Sequence, residues 1–443
     1  MKTKLSLLIA LLTITFSFTQ DKKWTLKESV EHALKNNLTV KQNLLNVELS
    51  EENVTNTKGN FLPDLSASVN PGLNFGSSIG VSGSRISADN FRSSFNVGSN
   101  TILFNGFRNL NTYKQAKLGV ESSKLDLQKI QDDISLFVVN AYLNVLFAKE
   151  NLNVANTQFE ISTNQIEVTK SQVEAGVKPR GDLLNTESTA ATDAQNVITQ
   201  QNTLDLALLS LAQLLQVSTD NFDIENIDVG SPSIATLYND ANIVYEKALG
   251  NRPEIKRAEN DVENSNFDIE IAKGAFMPSL SFSAGLGSSY QHFFNDEVFN
   301  NIDFSQQFSD NLGYSFGLSL NIPIFNRGQT KSNVNRSIIN KKISEIGLED
   351  QKLQLKETIQ RAFLDAKAAA KSFEAAQKSL DAQNEAYKNA QERYNLGAMT
   401  LFDFDQVRNR LVDAESTLIR SKYDYVFKTQ VLKFYYGESI VIE

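Results

Sequence analysis

Two kinds of hydrophobic spacing alternate along the chain. Apolar or small side chains recur at Ile130, Ile134, Val138, Ala141, Val145, Ala148, Leu152, Ala155 and Phe159. The pattern returns at Ile359, Ala362, Ala366, Ala369, Phe373, Ala376, Leu380, Tyr387, Ala390 and Tyr394. Steps of three and four alternate and average about 3.5 residues, the seam of a coiled coil. Many seam positions are alanine, which lets helices approach closely. No proline lies between Pro71 and Pro179, or after Pro323. The spacing therefore predicts a helix from about Phe107 to Ala175. At ~1.5 Å per residue it would be roughly 100 Å long, far beyond the helices of ordinary globular domains. Gly176 and Gly397 break the two runs, and further helices are predicted near 182–215 and 402–436. Each pair forms a long antiparallel hairpin. Taken alone, the hairpins also fit a plain coiled-coil spacer.

Between the helical runs the spacing changes to two. Leu280, Phe282, Ala284 and Leu286 alternate with Ser281, Ser283, Gly285 and Gly287. Leu312, Tyr314, Phe316, Leu318, Leu320, Ile322 and Ile324 alternate with small or polar residues. The earlier region has Leu65, Ala67 and Val69, then Phe95, Val97 and Thr101. These are strands with one apolar and one polar face, each about ten residues long, enough to cross a bilayer when tilted. Long polar loops near 72–90 and 288–311 would join each pair, the second also rich in phenylalanine. A soluble β-sandwich face is the plainer reading, but two hairpins between very long helices do not make a sandwich. Four strands cannot close a barrel, and open edges do not survive in lipid. Membrane strands here would have to be pooled from several chains.

The chain is also written twice. Ala33-Leu-Lys-Asn36 matches Ala248-Leu-Gly-Asn251, and Lys58-Gly-Asn-Phe-Leu-Pro63 matches Lys273-Gly-Ala-Phe-Met-Pro278, both at an offset of 215. Phe104-Asn105, Ala141, Gly176 and Asp182 match Phe325-Asn326, Ala362, Gly397 and Asp403 at an offset of 221. The start differs from both copies: Lys2 and Lys4 precede an apolar run from Leu5 to Phe18. That is a secretory signal, too short to span comfortably, with cleavage placed before Gln20. The expected organisation is a signal over 1–19, a first copy over 20–230 and a second over 231–443.

Composition narrows the chemistry. The 443 residues include no Cys and only His32 and His292. Disulfides, thiolate nucleophiles and Cys-based metal sites are excluded, and two histidines cannot build a multi-His site. His32 reads as a surface helix residue, His292 has no assigned role, and Trp24 reads as packing. With 43 basic and 52 acidic residues the net charge is −9, against a nucleic-acid partner. Loss of Lys2 and Lys4 takes it to −11. Phosphate-loop, zinc-protease and nucleophile-elbow motifs are missing, so neither an enzyme nor a cofactor is expected.

In this order and duplicated, these motifs resemble the outer-membrane efflux protein family, the TolC-like channels. The resemblance covers essentially the whole chain after the signal. It rests on Ala248-Leu-Gly-Asn-Arg-Pro253, the Phe-Leu-Pro and Phe-Met-Pro junctions, Phe104-Asn-Gly106, Phe325-Asn-Arg-Gly328 and Tyr394-Asn-Leu-Gly397. The first copy has Leu38 where the second has Pro253. The resemblance implies an α+β membrane protein: four strands per protomer, a homotrimer with a twelve-stranded barrel in the outer-membrane lipid, and helical hairpins continuing it through the periplasm. It also implies an exit duct fed by a periplasmic adaptor protein and an inner-membrane transporter, in efflux or type I secretion. A secreted coiled-coil or adhesin-like protein explains the heptads but not the strand pairs; a soluble exported enzyme lacks its signatures.

The family constricts its tunnel at the hairpin tips. Carried over by motif, that points to Asp182, Tyr394, Asp403 and Asp405 as a periplasmic gate. Family members usually carry a second acid three residues after the first; here that position is Gln406, with Asp405 one earlier. Trimerisation would turn one inward acid into a ring of three, which sets ion selectivity. A tyrosine–carboxylate hydrogen bond between hairpins would hold the mouth shut. Asp182 and Asp403 equally fit helix N-caps. For adaptor docking the candidates are Gly176, Lys178, Arg180, Gly397, Met399, Leu401 and Phe402, exposed at the turns if the hairpin reading holds; an ordinary solvated turn is the plainer alternative.

Overall fold

The computed structural model describes residues 23–79, 83–227, 240–294 and 301–438. The signal segment and the 230/231 copy boundary lie outside them. After β1 (Lys23–Trp24), the first copy contributes helices α1 (Leu26–Asn36), α2 (Leu38–Gly59), α3 (Arg108–Glu174) and α4 (Arg180–Leu215). The second contributes α5 (Ala241–Asn251), α6 (Pro253–Gly274), α8 (Gln329–Asn395) and α9 (Leu401–Tyr436). Their lengths, 11, 22, 67 and 36 residues, are identical in both series, so the written repeat is a structural one. No described helix is long and apolar enough to cross a membrane.

The Leu38/Pro253 difference has a local explanation. Proline at the first helical position loses no intrahelical bond. Without it, the Asn37 side chain accepts the Thr39 N–H at 2.9 Å and starts α2 by itself. Arg252, just before Pro253, is buried. Its guanidinium lies 3.3 Å from Asp132, 3.1 Å from Glu254 and 4.4 Å above the Phe434 ring. The Asn-Arg-Pro motif is thus an anchor for the end of α9.

The residues form two compact units, and each draws on both copies. The first holds described residues 23–44, 126–255 and 351–438. Val138, Val139, Tyr142 and Val145 of α3 bury against Leu26 and Ala33 of α1 and Leu211 and Leu215 of α4. β1 pairs in parallel with β6 (Asp223–Ile224). The Tyr142 hydroxyl ties this clasp, within 3.0 Å of the Trp24 carbonyl and 2.7 Å of the Glu225 carbonyl. Burial pushes its pKa up, so it stays a neutral donor. Trp24 is packing, as its sequence context suggests. His32 is not a free surface residue: its ring meets the Trp24 indole edge-on at 4.9 Å.

The second unit holds described residues 45–79, 83–125, 256–294 and 301–350. Its sheet runs β2 (Ser66–Asn74), β5 (Asn90–Phe104), β7 (Ser279–Phe293), β8 (Gly313–Asn321), every neighbour antiparallel. Each copy supplies one hairpin, and β5–β7 joins them. Register puts Ala67, Val97, Leu286 and Tyr314 in one row across the sheet, and Phe282 beside Leu318. One face is therefore mainly apolar, interrupted by Ser93, Ser288 and His292, and the opposite one carries mostly Ser, Asn and Gly, with Arg92 and Gln291. Among the described residues the outer edges of β2 and β8 have no partner strand, and both strands are exposed along their whole length.

The described parts of the strand-connecting regions carry more regular structure than their polarity suggests. β2 reaches Asn74 and is followed by a small hairpin of β3 (Ser77–Ile79) and β4 (Arg85–Ser87). The region expected as a loop from 288 contains the end of β7 and a short helix, α7 (Phe304–Asp310). Beyond Gly287 no β8 residue faces β7. Side-chain amides take over: Gln307 accepts from the Gln291 N–H at 3.0 Å and donates to its carbonyl at 2.9 Å. Asn301 does the same for Phe293 at 2.8 and 2.7 Å. An edge that would otherwise expose donors and acceptors is thereby satisfied. Phe304 and Phe308 pack on Phe95, on the apolar face of the sheet.

Helix entry from the sheet requires glycine at one point. Gly106 has φ +68°, and a Cβ there would collide with the Gly274 carbonyl. Only glycine offers both that conformation and that clearance.

Candidate gate and docking site at the hairpin turns

Both turns lie in the first unit. α3 ends in Gly176 and α8 in Gly397, each at φ +72°. Each is a left-handed cap: Val177 N–H bonds the Gln172 carbonyl at 2.9 Å, and Ala398 N–H bonds that of Arg393 at 2.8 Å. The following helices start slightly earlier than the spacing predicts. The N-cap of α4 is Pro179 and that of α9 is Thr400. Asp182 and Asp403 are thus third helical residues, not N-caps. Asp403 completes a reciprocal arrangement: its N–H donates to Thr400 Oγ1 at 3.1 Å, and that hydroxyl donates to its carboxylate at 2.7 Å.

Tyr394 is buried, stacked on Phe404 with centroids 4.9 Å apart and planes 11° apart. Ala390 and Leu401 complete the cluster. Lys178, from the other turn, sits with Nζ 3.7 Å from the Tyr394 ring centroid. The expected tyrosine–carboxylate hydrogen bond is not formed: the Tyr394 hydroxyl is buried without a hydrogen-bond partner. The ring faces, not the hydroxyl, tie the two turns.

The charged link between hairpins lies elsewhere. Arg408 of α9, only 5% exposed, places its guanidinium 3.3 Å from Asp193 of α4 and 3.9 Å from Asp405. Burial raises the Asp405 pKa, Arg408 opposes this, and Asp193 adds to it. Tyr394, Asp405 and Arg408 line one cavity of about 50 Å³ together with Gln165 and Thr186. So of the four gate candidates, Tyr394 and Asp405 share this site, Asp403 is committed to its own helix start, and Asp182 is half-buried at the other turn. Arg408 and Asp193 were not singled out by sequence. One arginine among the three of α9 is a faint signal, and its partner lies in the other copy.

The docking candidates divide as well. Gly176, Arg180, Gly397 and Phe402 are exposed, and Lys178 and Met399 half-buried. Leu401 is not exposed; as the first residue of α9 it points into the Tyr394 cluster. The apolar surface at the turns comes instead from Val177 at 73%, Leu396 at 84% and Phe402 at 71% exposure.

The family model for outer membrane efflux proteins matches residues 30–216 and 244–438. The chain belongs to the outer membrane efflux protein family. Its two matched segments fall on the two copies, and the family places it in the outer membrane. This efflux protein is 21% identical over 412 residues to the outer membrane efflux protein BepC of Brucella suis, covering 92% of this chain and 84% of that one. Among solved structures, the Campylobacter jejuni outer membrane channel CmeC superposes with a TM-score of 0.73 at 20% identity, covering 93% of this chain and 85% of that one. The outer membrane protein VceC of Vibrio cholerae gives 0.74 at 16% identity, covering 94% and 97%. These likenesses establish a TolC-like fold for the efflux protein.

Proposed function

We propose that three copies pool their sheets into one twelve-stranded barrel in the outer membrane, and that the helical hairpins continue it as a duct through the periplasm. The observation that carries this reading is the sheet itself. It has one apolar face, one polar face and two unpartnered edges on β2 and β8. In lipid every backbone donor and acceptor must be satisfied within the protein. Pairing β8 of each chain with β2 of the next does so, leaving the apolar face to lipid and the Ser/Asn/Gly face to a water-filled lumen.

The duct conducts passively and needs no catalytic group. Energy and selection come from an inner-membrane transporter, reached through a periplasmic adaptor, in efflux or type I secretion. The adaptor docks on the two turns, where Val177, Leu396 and Phe402 form apolar contacts beside Gly176, Arg180, Gly397 and Met399. Tyr394, Asp182, Asp403 and Asp405 belong to the gate, and Arg408 latches the hairpins. The one unit written twice supplies both hairpins of each protomer, with the copies divided near residue 230 and preceded by a signal over 1–19.

Two measurements test the reading. The protein should stay in the outer-membrane fraction after urea and salt washing, and the purified protein should conduct in planar bilayers. Release by urea together with silent bilayers would overturn it in favour of a secreted coiled-coil protein.

A further inference from the structure

The four strands of the sheet carry a single formal charge, Arg92 on β5. Its neighbours fix the face it occupies. Phe91 meets Tyr290 on the apolar side at a ring distance of 6.2 Å, and Ser93 is buried. Alternation therefore puts Arg92 on the polar side, among residues without charge: Asn70, Asn74, Asn90, Ser94, Ser289 and Gln291. In register it stands between Gly72 on β2 and Gln291 on β7. Gly72 brings no side chain to share the space, and no acid on the strands neutralises the guanidinium. Arg92 is exposed, the third residue from the strand end farthest from α2 and α3.

We propose that Arg92 is a selectivity residue of the duct: three copies form a cationic ring just inside its outer mouth, which favours anionic solutes there. The inference rests on the twelve-stranded duct of the preceding section. Arginine stays charged at any physiological pH. A ring of like charge on a wall whose other strand residues are uncharged acts on passing ions. Its reach is about 10 Å at 0.1 M salt and about 3 Å at 1 M, so the effect is strong in dilute salt and fades in concentrated salt. The overall charge of the chain has the opposite sign, −9. Arg92 thus gives the polar face of the strands a charge opposite in sign to that of the chain.

The test is reversal potential in planar bilayers under a KCl gradient, near 0.1 M and near 1 M, for wild type, Arg92→Glu and Arg92→Lys. The chloride-to-potassium permeability ratio should fall at least about twofold in Arg92→Glu at the lower salt, stay close to wild type in Arg92→Lys, and converge for all three at the higher salt. A second readout adds the accessibility of the position itself. The chain has no cysteine, so Arg92→Cys provides one thiol for charged thiosulfonate reagents. It should react from water in the intact assembly, and cationic and anionic reagents should move the ratio in opposite directions. Conducting channels with one unchanged ratio across all variants, or a thiol that does not react, overturn the role of Arg92 while leaving the duct standing. A silent wild type overturns the duct, and Arg92's role with it.

Discussion

Replacing Arg408 by Met should loosen the turn region by a measurable and bounded amount. Arg408 and Asp193 are 3.3 Å apart, with side chains 7% and 19% exposed. At an effective dielectric constant of about 20 their attraction is about 5 kcal/mol. Desolvation of both groups offsets most of it, so the intact pair contributes little net stability. Arg408→Met is different, because it leaves Asp193 and Asp405 facing each other without a cation. The expected loss is about 2–4 kcal/mol, below the range for fully buried pairs because Asp193 keeps some water contact. Expressed as local opening, that is about 30- to 900-fold faster amide exchange in α9 and the end of α8. Adding Asp193→Leu removes one of the two facing carboxylates and with it their repulsion, and the double variant should recover most of the loss. Hydrogen exchange by mass spectrometry reads both variants. Exchange unchanged in Arg408→Met, or equally fast in the double variant, would refute the stranded-charge argument.

Three further variants probe neighbouring claims. Tyr394→Phe should leave single-channel conductance and stability unchanged, since the hydroxyl has no partner while the ring stacks on Phe404; a leakier channel would mean a hydrogen bond closes the gate after all. Burial holds the Asp405 carboxyl above its usual value of 3.8, so the folded protein binds its proton more tightly and loses stability as pH rises through that window. Asp405→Asn should therefore gain on wild type as pH rises above about 4 in thermal melts, and a variant that loses ground on that rise contradicts the assignment. Gly106→Ala combines a left-handed backbone with a collision against Gly274; it should cost more than about 2 kcal/mol and abolish heat-resistant oligomers on gels, whereas wild-type oligomers would show that the junction yields.

Much of this architecture was legible because the coiled-coil seam keeps one phase for many turns. The helix expected from Phe107 to Ala175 runs from Arg108 to Glu174, ended by the glycine that the spacing picks out. Period-two alternation likewise located the strand pairs. What it missed depends on contacts between distant residues. The ordered segment over 301–311 is held by Gln307 and Asn301, which read as solvated polar residues until an unpaired strand edge lies beside them. Leu401 looks like a turn residue, and only the folded start of α9 puts it against Tyr394. Asp182 and Asp403 fit N-caps as well as a gate in the sequence because the spacing sets the helix starts up to two residues late. The latch between Asp193 and Arg408 joins the two copies, and periodicity within one copy cannot show it.

The central claim is that four strands per chain are completed by neighbouring chains. Native mass spectrometry of the detergent-extracted protein tests it most directly. The account predicts one species of three chains, each no heavier than 49.3 kDa, that keeps its mass on dilution. A stable monomer, or a dimer with eight pooled strands, would contradict it.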